Sequence, residues 1–194
     1  MKHWLLTLLL LPALACAAAK TPAPAHPATH NPIVLMETSY GTLTIELDAT
    51  KAPKSVANFL SYVQDGSYDG SLFHRVIPGF VAQGGGYDAN FQMLATKAPV
   101  VNEARNGLSN QRGTIAMART QDPDSATRQF YFNLQDNLSL DAGMSDGYTV
   151  FGHVTQGMDV LDKIAQQPTG DEGKLGASDV PVEPIFIKRV SLKK

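Results

Sequence analysis

The segment Thr42-Leu43-Thr44-Ile45-Glu46-Leu47 alternates polar and apolar residues without interruption. Successive side chains of an extended chain point to opposite faces, so this pattern predicts a half-buried strand. Residues 33–37 precede it across a Ser39-Tyr40-Gly41 turn, and the pair predicts a hairpin. Residues 129–134 alternate as well, with Phe130, Phe132 and Leu134 on one face. Residues 113–119, 149–154 and 184–192 supply further strands. Two helical patterns interrupt this series. In PKSVANFLSYVQDG (53–66), Val56, Phe59, Leu60 and Val63 fall at i, i+3, i+4 and i+7, with Pro53 in the first turn and Gly66 at the C-terminal cap. In MDVLDKIAQQ (158–167), Met158, Leu161 and Ala165 form one stripe before Pro168. Two separated helices among many short strands predict a mainly β fold, a closed antiparallel barrel with its ends covered by helices.

The N-terminus does not share these patterns. MKHWLLTLLLLPALACAAAK has a basic start, an apolar stretch over residues 4–14 and then small residues. That is the pattern of a secretory signal peptide, too short to favour a spanning helix, and it predicts cleavage near Ala19 and export to the periplasm without stable membrane insertion. Cys16, the single cysteine, weakly resembles a lipoprotein box, so a lipid-anchored form is the alternative. If Cys16 is cleaved away, the mature chain has no thiol for a disulfide, for catalysis or for a metal. TPAPAHPATHNP (21–32) holds four of the twelve prolines and reads as an extended tether. The expected organisation is therefore a signal peptide (1–19), a Pro/Ala-rich linker (20–32) and one domain (33–194) with enough length to close a single core.

Several chemistries find little support. A formal net charge of −2 does not suggest a nucleic-acid binder. GMSDG (143–147) matches G-x-S-x-G, but that motif needs a strand-to-helix turn, and Tyr148-Thr149-Val150-Phe151 reads as a strand, so turn chemistry is expected. GGG (84–86) precedes no helix and no Lys-Ser/Thr pair, so these glycines are expected to serve a turn or a close approach. His74 and His153 stand apart in strand patterns, outside any HxH or HExxH arrangement, which leaves no metal centre and no cofactor to expect.

What remains is FHRVIPGFVAQGGG (73–86), in which Arg75 lies among apolar and aromatic residues with no acid between Asp69 and Asp88. An unpaired ion is costly to bury. Alternation groups Arg75 with Phe73 and Ile77, and after the Pro78-Gly79 bend it groups Val81 with Gln83. The result is a fixed cation beside an apolar surface and a neutral amide, with no group nearby that makes or breaks covalent bonds.

This run resembles the signature segment of the cyclophilin peptidyl-prolyl isomerases. GTIAMAR (113–119), SATRQFYFNL (125–134) and YTVFGHVTQGMDVLDKI (148–164) follow in family order, so that the resemblance spans essentially residues 33–190. Among members it is most similar to periplasmic bacterial cyclophilins. The resemblance implies an eight-stranded antiparallel barrel capped by two α-helices, with a substrate groove on its outer wall. It implies that Arg75 is the catalytic arginine. Phe80, Val81, Phe130 or its neighbour Tyr131, and Leu140 would line a proline pocket, with Tyr131 the direct counterpart of the family's phenylalanine. Gln83, Ala118, Arg119 and Gln129 would hold the substrate backbone, and Tyr148 would stand at the rim. Val81 replaces a frequent methionine and Arg119 a frequent asparagine. The implied activity is isomerisation of X-Pro bonds in unfolded or partly folded exported polypeptides, by a monomer; a non-catalytic chaperone or binding module for proline-containing segments is the alternative.

Overall fold

A computed structural model describes residues 31–143 and 145–193. The signal-like segment, Cys16 and most of the linker lie outside the described residues. The last two linker residues already touch the barrel: Asn31 Nδ2 donates to Glu46 Oε1 at 3.0 Å, and the Pro32 carbonyl accepts from the Leu47 amide at 2.8 Å.

Eight strands close into one antiparallel barrel. In chain order they are β1 (Ile33–Thr38), β2 (Gly41–Leu47), β3 (Ser71–Ile77), β4 (Val81–Gly84), β5 (Thr114–Met117), β6 (Phe130–Asn133), β7 (Val150–Gln156) and, last in the chain, β10 (Ile185–Leu192). Around the barrel they run β1-β10-β3-β4-β6-β5-β7-β2, and β2 pairs back onto β1 as the predicted hairpin. Closure leaves no free edge among them. A separate hairpin, β8 (Thr169–Glu172) with β9 (Ala177–Pro181), precedes β10. Its polar GDEGKLG sequence carries no hydrophobic alternation, which is why it was not among the expected strands.

Helix α1 (Pro53–Gln64) buries Val56, Phe59, Tyr62 and Val63, with Leu60 half-buried beside them. Pro53 sits in its first turn as expected. At its end Gly66 takes φ +69°, its amide donates to Val63 O, and the Ser67 amide donates to Tyr62 O. These two bonds make a Schellman motif, the reason a glycine follows this helix. Its N-terminus is held from a distance: the Glu103 carboxylate accepts from the Lys54 amide at 3.1 Å and from the Ser55 amide at 2.8 Å. Helix α2 (Met158–Ala165) buries Val160, Leu161 and Ile164, while Met158 and Ala165 are only partly covered. The expected stripe was therefore rotated by part of a turn, because Val160 packs on Gly41.

Alternation separates two apolar clusters. Ala82, Ile115, Met117, Phe130, Phe132 and Phe151 face into the barrel, where Phe59 of α1 stacks edge-on against Phe130 with ring centroids 5.7 Å apart. Their neighbours Val81, Ala116, Tyr131 and Val150 face outward and form a second cluster with Phe80, Ala118, Leu140 and Tyr148. Phe130 is thus fully buried in the core and not on the outward face; of the two residues expected there, only Tyr131, one residue on and therefore on the opposite face, lies on it.

Candidate active site on the outer wall of the barrel

The outward row is set by register. Arg75 lies opposite Gln83, Gln83 opposite Tyr131, Tyr131 opposite Ala116, and Ala116 opposite Val150, so one row crosses β3, β4, β6, β5 and β7. Adjacent strands are roughly 4.8 Å apart, so Arg75 stands about 10 Å from Tyr131 along this row.

Arg75 reaches that face through an irregularity. Between β3 and β4 the register steps from Phe73↔Gly84 to Arg75↔Gln83, which leaves His74 as an extra residue in a β-bulge. The bulge reverses the alternation. Phe73 turns into the core against Phe130 and Phe132, while Arg75 and Ile77 face out. The expectation that Phe73 shares a face with Arg75 is corrected by this single inserted residue. Bulges beside functional sites commonly re-aim a side chain in this way.

A groove of about 290 Å³ results. Phe80, Val81, Tyr131 and Leu140 form its apolar part, Tyr148 and Ala118 its rim, and Arg75, Gln83 and Arg119 its polar part. Gln129 lines the adjoining cavity of about 150 Å³, with Gln83, Ala118 and Arg119 shared between the two. The structure therefore brings together every residue expected at the site except Phe130. Among the described residues, the only charged ones lining the groove are the two arginines.

The polar side is ordered. Arg75 Nη1 donates to Gln83 Oε1 at 3.5 Å, and Gln83 Nε2 donates to Gln129 Oε1 at 2.9 Å. Gly86 makes room for this chain: a Cβ there would stand 2.6 Å from the Gln129 side chain, so the third glycine of GGG serves a close approach. Arg119 stacks 4.4 Å over the Tyr148 ring and donates through Nε to Gly147 O at 3.0 Å. Tyr148 meets Tyr131 edge-on, with ring centroids 5.9 Å apart. Burial pushes the Tyr131 hydroxyl well above its ordinary pKa, so it stays a donor, and it donates to Asn110 Oδ1 at 2.8 Å. Asn110, Asn133 and Asn137, which support these walls, carry no functional signal in the sequence: Asn110 and Asn137 fit turns, and Asn133 is a polar position of a strand pattern.

Other candidates fall away on geometry. A cleft of about 440 Å³ lies beside Asn102, Glu103, Asp124 and Asp146, but Glu103 caps α1 and Asn102 is bonded to Thr149 and Gly147. In the G-x-S-x-G stretch the Gly147 amide donates to Ser145 Oγ at 3.3 Å, and β7 follows instead of a helix. Among the described residues, no group of three or more His, Cys, Asp or Glu is arranged to hold a metal ion, and no helix is long and apolar enough to cross a membrane.

Residues 33–192 match the model of a family described as cyclophilin type peptidyl-prolyl cis-trans isomerase/CLD. The chain is 52% identical over 164 residues to a peptidyl-prolyl cis-trans isomerase of Acinetobacter baylyi, covering 84% of this chain and 86% of that one. It is 51% identical over 173 residues to peptidyl-prolyl cis-trans isomerase A of Dickeya dadantii, covering 89% and 90%. With peptidyl-prolyl cis-trans isomerase B of Escherichia coli it shares 46% over 166 residues, covering 84% and 100%. Among solved structures it is similar to a cyclophilin type peptidyl-prolyl cis-trans isomerase of Cryptosporidium parvum, with a TM-score of 0.70 at 26% identity, covering 85% of this chain and 99% of that one.

Proposed function

This chain belongs to the cyclophilin-type peptidyl-prolyl cis-trans isomerase family, and from that premise we propose that Arg75 accelerates X-Pro isomerisation by stabilising the twisted amide. Enzymes of this kind act on proline-containing peptides. Rotation about the peptide bond faces a barrier of roughly 18–20 kcal/mol from its partial double-bond character. Proline narrows the gap between cis and trans, yet exchange still takes tens of seconds. No bond needs to break. What is needed is a site that prefers the twisted amide, whose nitrogen has regained a lone pair and become a better acceptor.

The observation that carries this reading is a groove whose apolar pocket faces a guanidinium, with no acid among its described lining residues. The Arg75 guanidinium offers its donors in a fixed plane. Phe80, Val81, Tyr131 and Leu140 hold the prolyl ring, Arg75 donates to the prolyl nitrogen, and Gln83 with Gln129 fixes the neighbouring backbone. Ala118 and Arg119 border the path of the chain on the far side of Gln83, and Tyr148 closes the rim.

Exchange NMR on an X-Pro peptide tests the mechanism. Arg75→Ala is expected to lower the catalysed exchange rate by roughly 10²–10³, the loss typical of a transition-state donor. A folded Arg75→Ala variant with near-normal exchange would sink this mechanism. A parent chain that binds the peptide without accelerating exchange would support the binding-module reading.

The same proposal extends to place. The basic start, apolar run and small residues of the first 19 positions support export, so the substrates are polypeptides folding in the periplasm. Cell fractionation with N-terminal sequencing is expected to recover a periplasmic chain beginning near Lys20. A mature chain that begins at a lipidated Cys16 supports the anchored form instead.

A further inference from the structure

The four aromatic and apolar walls Phe80, Tyr131, Leu140 and Tyr148 come from four separate stretches of chain. Asparagines behind the groove connect them. Asn110 and Asn133 are fully buried and Asn137 nearly so. The Asn110 amide is engaged on every side. Its Oδ1 accepts from the Tyr131 hydroxyl at 2.8 Å and from Asn133 Nδ2 at 3.1 Å. Its Nδ2 donates to Asp141 Oδ1 at 2.8 Å and, more weakly, to the Tyr148 carbonyl at 3.5 Å.

From there the connections reach the remaining walls. Asp141 follows Leu140 directly and also accepts from the Asn110 backbone amide at 2.7 Å and from the Ser109 hydroxyl. Burial alone would raise the Asp141 pKa, but these bonds outweigh it and hold the carboxyl below its ordinary value, so it remains an acceptor. Asn133 Oδ1 accepts from Asn137 Nδ2 at 2.8 Å, and the same Asn137 amide donates to the Phe80 carbonyl at 2.9 Å. The Leu140 amide donates to the Asn137 carbonyl. Two branches end elsewhere, from Asn133 Nδ2 to Thr114 Oγ1 at 2.9 Å and at Asn137 Oδ1, which accepts from Gln135 Nε2 at 3.4 Å. Every other branch of the Asn110–Asn133–Asn137 chain ends on a wall of the apolar pocket or on the residue next to one.

Arg75 belongs to a different side-chain series, Arg75–Gln83–Gln129, and among the described residues none of its side-chain hydrogen bonds joins the asparagine network. The groove thus has two independently ordered halves, one that grips the ring and one that faces the amide. We infer that Asn110 is a positioning residue that locks the proline pocket and so sets substrate affinity, separately from the rate of the bound amide. This rests on the reading that the apolar half of the groove receives the prolyl ring. A buried network of this kind is effective only when every member is satisfied, and removing its centre strands the groups that pointed at it. Asn110→Ala would leave the Tyr131 hydroxyl without its acceptor beside an apolar pocket.

The test titrates an X-Pro peptide against the mature chain and reads both the half-saturating concentration and the exchange rate at saturation. Asn110→Ala, checked for folding by urea unfolding, is expected to raise half-saturation roughly tenfold while the saturated rate falls far less, the pattern of lost uniform binding. Adding Tyr131→Phe to Asn110→Ala removes the stranded hydroxyl and is expected to recover several-fold of that loss. Independent, additive losses, or an equal fall in the saturated rate, overturn the inference. Should Asn110→Ala not fold, Tyr131→Phe in the parent chain decides: a two- to threefold rise in half-saturation, roughly the effect of one lost hydrogen bond, is expected, and an unchanged value overturns it. Arg75→Ala in parallel separates the two readings. If it keeps the parent rate, the mechanism of the groove fails; if it loses rate while Asn110→Ala keeps the parent half-saturation, only the role of Asn110 fails.

Discussion

Arg75 and Arg128 both lie in aromatic surroundings, and their partners differ. Arg128 is almost fully buried, and all three guanidinium nitrogens donate to carbonyls, to Gly85 at 2.6 Å, Ala95 at 2.7 Å and Ser67 at 2.6 Å. Arg75 is half-buried, and among the described residues its side chain makes one long hydrogen bond, to Gln83. Each guanidinium nitrogen of Arg128 is engaged within the chain, which makes it structural, whereas among the described residues Arg75 engages only one of its nitrogens, as the proposed mechanism requires. Beside Arg75 in the bulge, His74 is buried and packs edge-on against Tyr87 at 4.7 Å, and its Nδ1 has no hydrogen-bond partner among the described residues. Burial, reinforced by the neighbouring Arg75 charge, lowers its pKa from 6.5 to about 4. Unfolding frees the imidazole to bind a proton at higher pH than the folded state allows. Its contribution to stability is therefore fully present above about pH 6.5 and is lost as pH falls toward 4. The linked loss is on the order of 3 kcal/mol. Urea unfolding at pH 7, 5.5 and 4.5 is expected to show stability falling in the parent and falling less in His74→Gln; parallel curves would remove His74 from the account.

At the scale of elements, legibility in the sequence followed the regularity of the backbone. Strand β2 and strand β6 keep strict alternation, and their inward and outward faces could be read directly from Leu43, Ile45, Phe130 and Phe132. Helix α1 was legible to its cap, because Pro53 and Gly66 mark its ends for steric reasons. Strand β3 was not, since a bulge changes the parity of every residue beyond it and leaves no mark in the residue types. Phe73 and Arg75 therefore looked like one face and proved to be two. The resemblance pointed to the groove residues by position, but only register shows Arg75, Gln83 and Tyr131 as one row across three strands. The asparagine network was invisible for a further reason: Asn110, Asn133 and Asn137 matter through the partners of their side chains, and in sequence Asn110 and Asn137 look like ordinary turn residues while Asn133 is a polar position of a strand pattern.

The whole molecule keeps its stability and its groove on opposite sides of one wall. The barrel interior is filled by Phe73, Phe130, Phe132 and Phe151, while the groove uses the outward residues of the same strands. Neighbours in sequence therefore belong to different economies of the protein, and Phe130 with Tyr131 is the sharpest pair. Phe130 is fully buried and contacts the rings of Phe59, Tyr68, Phe73 and Phe132. Its truncation to alanine opens a cavity and is expected to cost about 3–5 kcal/mol of stability. Tyr131 lies across the sheet, where a smaller side chain opens onto the groove instead of a sealed core. Tyr131→Ala is expected to weaken peptide binding by roughly tenfold or more, through lost contact with the prolyl ring, while losing less stability than Phe130→Ala. At temperatures where the Phe130→Ala chain still folds, its isomerase rate per folded molecule is expected to stay near that of the parent. Thermal unfolding and exchange NMR on the two variants separate these outcomes. If Phe130→Ala lost activity while fully folded, or Tyr131→Ala kept it, the wall would not divide the two roles as the register indicates.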